Sequence, residues 1–334
     1  MLKIKQYVRA ESLEQAYELN QKKTNRIVGG MLWLKMSTAQ IQTAIDLSGL
    51  GLDQIEETED AWKIGCMVSL RDLELHEGLN ELSCNMIRES VRSIVGVQFR
   101  NLATIGGSIF GRFGFSDVLT CFLALDTEVE LYKGGIISLE EFAKMERDND
   151  ILVRVIVKKT PGKGSYQSHR NTKTDFPVLA VAADRYGDEL KVAVGARPMK
   201  AVCIHVPAEQ RDACTDLKKF AKELAAQVPM GSNMRGSAEY RRHLSEVLVR
   251  RGLEQTEVKR MQISLTLNGK KITEEIAADL LLIDFVRNHG CYSVKRGCET
   301  SNCGLCTVFL DEKPVLSCSV LAARADGHKV DTLE

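Results

Sequence analysis

Residues Gly297–Cys318 read GCETSNCGLCTVFLDEKPVLSC, and the cysteines fall as Cys298-x4-Cys303-x2-Cys306-x11-Cys318. Thiolates are soft ligands that suit iron, and a C-x4-C-x2-C run followed by a distant cysteine is the plant-type [2Fe–2S] arrangement. Three sulfurs must point inward from one tight loop, so backbone N–H groups turn toward them and offset the negative charge of a cluster. Gly297 and Gly304 allow that close approach. TVFLDEKPVLS alternates as two short strands, which brings Cys318 in from the far side of a hairpin. Zinc is the rival reading. Zinc ribbons repeat C-x2-C pairs, however, and this stretch has only one. Cys291 lies off the pattern and reads as a nearby free thiol.

Working outward, Ile263, Leu265 and Leu267 alternate with polar residues before Asn268-Gly269, which suits a type I′ hairpin turn. A helix is expected over about Asp279–Asn288, stopped by Gly290. The polar run EQTEVKR precedes these elements and places a boundary near 258–261. A final domain over 261–334, about 75 residues, is small enough to need the help of a metal centre.

The first part of the chain predicts strand, helix and strand within residues 1–50, with Ser12 as N-cap and Gln15 completing a capping box. Further on come a strand at Lys63–Ser69, helix over Arg71–Ile94, a loop-rich stretch at Gln98–Phe115 and an apolar segment at Val118–Ala124. A strand at Glu128–Tyr132, a hairpin over Asp175–Val194 turning at Tyr186-Gly187-Asp188, and helix over 215–256 complete the pattern. Arg241 and Arg242 read there as a solvated helix face. Two Gly-Gly pairs follow apolar runs, at Arg26–Trp33 (RIVGGMLW) and at Arg100–Ser108 (RNLATIGGS). Backbone N–H groups at such places can converge on a pyrophosphate, and a simple tight turn is the competing reading. Neither matches G-x-G-x-x-G, so a Rossmann site is not supported.

Lys+Arg and Asp+Glu both number 45 in 334 residues. That balance gives no net field for nucleic acid or an acidic membrane. The charged start has no apolar leader core, and no run approaches the roughly 18 apolar residues of a membrane span. A soluble cytoplasmic protein is expected. Cys66, Cys84, Cys121, Cys203 and Cys214 are scattered and read as reduced thiols.

The segment VKRGCETSNCGLCTVFLDEKPVLSC, preceded by LLLIDFVRNHG, resembles the plant-type cluster domain of the molybdenum hydroxylases, the xanthine dehydrogenase and carbon monoxide dehydrogenase group. QFRNLATIGGSIFGRFGFSDVLTCFLALDTEVEL is similar to a flavin-contact segment of the same family, and IVGGMLWLKM stands where its first such segment lies. The resemblance runs on through KIGCMVSLRDLE, HRNTKTDFPVLAVAADRYGDELKVAVGARP and MRGSAEYRRHLSEVLVRRGL, and so covers nearly the whole chain. It implies an α+β protein: an FAD-binding domain of the vanillyl-alcohol-oxidase-like type, with α/β subdomains over 1–160 and an α+β subdomain over 161–258. A small β-grasp, ferredoxin-like [2Fe–2S] domain follows.

Carried over by position, Ile27, Val28, Gly29, Gly30, Met31, Leu32 and Trp33 would wrap the FAD pyrophosphate through main-chain groups. Thr104 would donate a hydroxyl to a phosphate, and Gly107 and Ser108 would pack against it. Ser116 and Asp117 would meet ribitol or ribose hydroxyls, with a helix N-cap as the alternative role for Asp117. The family usually has glycine where Ser301 and Glu312 stand, and often threonine where Leu32 stands. A lysine sometimes found near the flavin has no counterpart, leaving Gln167 or Arg170 to substitute.

The resemblance implies one FAD and one [2Fe–2S] cluster held by Cys298, Cys303, Cys306 and Cys318. No side chain is needed as acid or base. The expected role is electron transfer between a molybdopterin-containing large subunit and an acceptor such as NAD. The tail GHKVDTLE resembles the connector into a second cluster domain, so the expectation is either a fragment or a second [2Fe–2S] domain or chain as a further partner. The alternatives are a stand-alone flavin and iron–sulfur NAD(P)H reductase and a zinc-stabilised interaction module.

Overall fold

The computed structural model describes residues 1–186, 189–212, 214, 216–256, 260–278, 280–298 and 301–334. It divides into two compact units, Met1–Thr256 and Glu257–Glu334. The expected turn residues Gly187 and Asp188, the helix start Asp279 and positions 258–259 of the expected boundary lie outside the described residues.

The larger unit begins with a parallel sheet in which Gln40–Asp46 runs between Lys3–Arg9 and Arg26–Val28. Helix Leu13–Asn20 makes the crossover, capped by the Ser12 hydroxyl on the Gln15 N–H. The Gln15 amide oxygen accepts from Glu11 rather than from Ser12, so the box closes one residue early. A five-stranded antiparallel sheet follows, ordered Ile55–Glu57, Ala61–Gly65, Leu152–Lys158, Thr127–Leu131 and Gly135–Ser138. Between its strands lie short helices at Leu70–Leu75, Glu77–Leu82 and Met86–Arg92, where the sequence suggested one long helical run. The helix Asp117–Ala124 is buried at all its positions. That is why its sequence shows no polar face.

A four-stranded antiparallel sheet, Val202–Val206, Glu189–Gly195, Pro177–Tyr186 and Gly162–Arg170, closes the unit. Along Pro177–Tyr186 the side chains alternate between two cores. Ala180 and Ala182 join the one that contains Phe122 and Phe142. Val181 and Ala183 join the one formed with Leu224, Leu248 and Val249 on helices Leu217–Ala226 and Ala238–Thr256.

Arg241 corrects the solvated-face expectation. It is fully buried, and its guanidinium donates to the carbonyls of Val178 (2.8 Å), Gly231 (3.0 Å) and Gly236 and to Oδ1 of Asn233 (2.6 Å). Arg242 is exposed as expected.

The smaller unit is a β-grasp: Lys270–Ala277, Arg260–Leu267, Lys329–Asp331, Thr307–Leu310 and Lys313–Leu316 lie side by side, with Arg260–Leu267 and Lys329–Asp331 parallel. Helix Leu282–Asn288 packs Leu282, Ile283, Phe285 and Val286 into the core, and Gly290 follows its end at φ 84°. Asn268 and Gly269 both have positive φ between the paired Leu267 and Lys270, as a type I′ turn requires.

Candidate functional site

The two glycine pairs meet in space. The chain leaves strand Arg26–Val28 through Gly29, Gly30 and Met31, the last held at φ 55°. The second pair lies in helix Ile105–Phe110, whose N-cap Thr104 accepts from the Gly107 N–H at 3.1 Å. A Cβ on Gly30 would overlap the Leu102 carbonyl, whose carbon would lie only 2.5 Å away, and a Cβ on Gly29 would stand 2.8 Å from Oγ1 of Thr104. Glycine is therefore what lets these loops touch backbone to backbone. The turn and cradle readings describe the same feature, because packing the loops this way is what forms the cleft floor. Thr104 keeps its own hydroxyl proton, which has no acceptor among the described residues.

Ile27, Val28, Gly29, Gly30, Met31, Leu32, Trp33, Thr104, Gly107, Ser108, Ser116 and Asp117 all line one cavity of about 520 Å³. Its remaining wall is mostly apolar, rich in phenylalanine, with Arg26 and Arg170 as its cations. Trp33 stacks on Phe176 with centroids 5.3 Å apart and meets Phe115 edge-on at 6.2 Å. Arg170 lines the cavity beside them. A second cavity of about 510 Å³ shares Arg26–Gly29, Thr104 and Gly107 with the first, and Lys23, Arg147, Asp148 and Asp150 give it a more polar lining. Each volume is in the range of ordinary ligand clefts, about 300–1,000 Å³. Two such spaces joined at a glycine floor fit a ligand with two heads and a bridging diphosphate.

The structure gives Ser116 and Asp117 partners that their sequence positions did not disclose. Ser116 is the N-cap of helix Asp117–Ala124, accepting from Leu119 N–H and donating to the Ser108 carbonyl. The cap role considered for Asp117 thus falls one residue earlier. Oδ1 of Asp117 accepts from Arg170 at 2.6 Å and from the Tyr166 hydroxyl. Burial pushes the Asp117 carboxyl up, and the Arg170 guanidinium opposes it. Burial, with the Asp117 charge beside it, pushes the Tyr166 hydroxyl far up, so it remains a donor. The Arg170 Nη1 donates to the Asp175 carbonyl, while its buried Nε has no partner among the described residues. Gln167 bonds Ser165 and Gln255.

In the smaller unit the cysteine loop arranges backbone donors around sulfur. The N–H groups of Asn302 and Cys303 donate to Cys298 Sγ at 3.3 Å, and that of Cys298 donates to Cys303 Sγ at 3.4 Å. Gly304 has φ 73°, and a Cβ on Gly297 would stand 2.7 Å from Cys303 Sγ. Cys306 is buried and its thiol bonds that of Cys318, which follows the hairpin on the turn Ser317–Ser319. Hydroxyls of Ser319 and Ser301 hold the Cys318 thiol below its usual range. Four sulfurs from one loop and one hairpin, with N–H donors on those of Cys298 and Cys303, suit a negatively charged iron–sulfur centre. Elsewhere burial pushes the Cys66 and Cys203 thiols up to about 12, in keeping with inert core thiols.

The FAD binding domain in molybdopterin dehydrogenase matches residues 2–159, and the 2Fe-2S iron-sulfur cluster binding domain matches residues 265–331. The chain belongs to the molybdenum hydroxylase family. It is an oxidoreductase-family protein that unites the FAD and 2Fe–2S domains. The uncharacterized protein YgfM of Escherichia coli K12 is 27% identical over 251 residues, 74% of this chain and 94% of the relative. The caffeine dehydrogenase subunit gamma of a Pseudomonas species is 41% identical over 73 residues, 22% of this chain and 44% of that subunit. The reconstituted CO dehydrogenase from Oligotropha carboxidovorans shares the fold, with TM-score 0.66 and 22% identity over 75% of this chain and 97% of that one. No helix among the described residues is long and apolar enough to cross a membrane.

As a molybdenum hydroxylase family chain, the protein departs from the usual pattern at places the structure makes legible. Ser301 has φ 64°, and Asp311 and Glu312 have φ 46° and 65° in the two-residue hairpin turn, conformations that favour glycine. Sequence reasoning did not find Phe115, Phe176 and Asp175 in the first cavity or Lys23 and Arg147 in the second. Their clustering depends on tertiary contacts with no local pattern.

Proposed function

We propose that this chain is the electron-transfer component of a molybdenum hydroxylase, carrying electrons between a molybdopterin-containing large subunit and an acceptor such as NAD. Residues 1–160 and 161–258 form the flavoprotein part and 261–334 the cluster domain. The observation that carries the reading is the shared glycine floor joining two cavities, in the same chain as the four-cysteine loop. FAD supplies an isoalloxazine that takes electrons singly and gives them up as a pair, which is what links a one-electron centre to a two-electron acceptor.

This chain's residues do the holding. Gly29, Gly30 and Gly107 open the floor to a diphosphate, and Thr104 offers its free hydroxyl proton there. Trp33, Phe115 and Phe176 line the aromatic cavity, which suits the flavin ring. The Arg170 guanidinium, paired with Asp117, sets a fixed polar group in the wall of that cavity. The more polar cavity suits the adenosine end. Cys298, Cys303, Cys306 and Cys318 ligate the iron. No group is asked to shuttle a proton.

Anaerobic co-purification with FAD, iron, sulfide and molybdenum analysis tests this reading. A molybdenum-containing chain should accompany the protein, and the protein alone should oxidise NAD(P)H only slowly. A fully loaded protein that never brings molybdenum with it and turns over NAD(P)H rapidly is instead a self-contained reductase. A colourless, zinc-containing product removes both cofactors from the account.

A further inference from the structure

Ser301 sits in a conformation that costs any residue with a Cβ, and it lies within the cysteine loop, between Cys298 and Cys303, beside Cys318. At φ 64° glycine would be at ease. Strain of this kind persists where the surroundings hold it in place, and it marks positions worth examining for function. What serine adds is a hydroxyl, and that hydroxyl is hydrogen-bonded to the hydroxyl of Ser319. Ser319 in turn lies with its Oγ 3.6 Å from Sγ of Cys318, while Ser301 Oγ is 4.0 Å from the same sulfur. Two hydroxyls from separate segments thus converge on one sulfur, the ligand that arrives from the hairpin rather than from the loop.

We propose that Ser301 and Ser319 form a hydroxyl relay onto Cys318, Ser301 donating to Ser319 and Ser319 donating to the sulfur. Ser319 is the direct donor. Ser301 is a positioning residue that orients and polarises it. The inference rests on Cys318 being a cluster ligand, as set out above. Hydrogen bonds to the cysteine sulfurs of iron–sulfur clusters raise their reduction potentials, because they stabilise the more negative, reduced state. The relay would therefore raise the reduction potential of a cluster held by Cys318. A glycine at 301 would relax the backbone and give up that setting.

The test is a dye-mediated redox titration of the full chain, prepared anaerobically and followed by the electron paramagnetic resonance of the reduced cluster. Ser319→Ala should shift the reduction equilibrium toward the oxidised form by about tenfold, which for one electron is about 59 mV. Ser301→Ala and Ser301→Gly should shift it in the same direction by similar, smaller amounts, and Ser319→Thr should restore the wild-type value. Alanine keeps the strained backbone and glycine relaxes it. A change in the glycine variant alone would assign the effect to strain and overturn the relay. Unchanged potentials in fully loaded alanine variants overturn it as well. Should those variants lose their clusters, resonance Raman in D2O compares the wild type with Ser301→Gly, which keeps the backbone N–H donors; equal shifts of the Fe–S(Cys) stretches refute the relay. A wild-type protein without iron and sulfide sinks the cluster assignment itself, a separate failure.

Discussion

Replacing Gly30 by alanine adds one methyl group at the point where the two glycine loops touch. The new Cβ would lie 2.5 Å from the Leu102 carbonyl carbon and 3.2 Å from the Ala103 nitrogen. These are main-chain atoms, so no flexible side chain can swing aside, and the loops themselves must part. Overpacking a tight contact costs about 1–3 kcal/mol, and a backbone neighbour puts this site in the upper half of that range. Because Gly30 lines the cavity and its neighbour Gly29 lines both, the parting should be felt as lost flavin affinity. At 1.4 kcal/mol per decade the expected weakening is about 30- to 100-fold. Titrating FAD into deflavinated protein by fluorescence measures it, with the iron content of the smaller unit as an internal control for intact protein. Gly252→Ala is the matched control, since its Cβ would meet Ala183 at 3.5 Å and Val181 at 4.0 Å, both ordinary contacts. If Gly30→Ala binds FAD within about threefold of wild type, the loop contact does not shape the site.

Other consequences follow from groups described above or buried near them. Arg241→Ala strands three carbonyls and Asn233 Oδ1 in the interior and should destabilise the larger unit by about 3 kcal/mol or more in denaturant melts, while Arg242→Ala should stay within about 0.5 kcal/mol. Glu312→Gly should raise the melting stability of the cluster unit by about 1 kcal/mol, because glycine has no Cβ to strain at φ 65°. Asp184 is buried in the strand Pro177–Tyr186, and burial raises its carboxyl to about 7. The folded state therefore holds that proton more tightly than the unfolded chain, whose carboxyl titrates near 3.8. Unfolding releases the proton, so stability should fall as pH rises through the window from 3.8 to about 7. Asp184→Asn should flatten that slope in thermal melts at a series of pH values, and parallel wild-type and variant curves would contradict the assignment.

Much of this was legible in the sequence because the relevant physics is local. The spacing of Cys298, Cys303 and Cys306 lies within one loop, Asn268-Gly269 dictates its own turn, and the Gly-Gly pairs announced a place where side chains could not be tolerated. What escaped reading depends on partners far along the chain. Strand Gln40–Asp46 alternates only over a short run and is defined by its two parallel neighbours. Arg241 sits in a helical stretch rich in arginine, and nothing nearby shows that the carbonyls of Val178, Gly231 and Gly236 will enclose it. The sequence around Asp117 does not show that Tyr166 and Arg170, about fifty residues away, are its partners. Local grammar names turns and ligand loops, but the counter-charges of buried groups come from tertiary contacts.

The walls of the first cavity come from residues near 30, 104, 116 and 176, which share a surface only once the larger unit has folded. An extended chain offers no fragment of that surface, so the dinucleotide recognises the native state alone. At a free concentration one hundred times its dissociation constant, such a ligand adds about 2.7 kcal/mol to folding. A cell short of riboflavin would then be expected to hold less of this protein, cleared by proteolysis while empty, rather than a standing pool of idle copies waiting for their coenzyme.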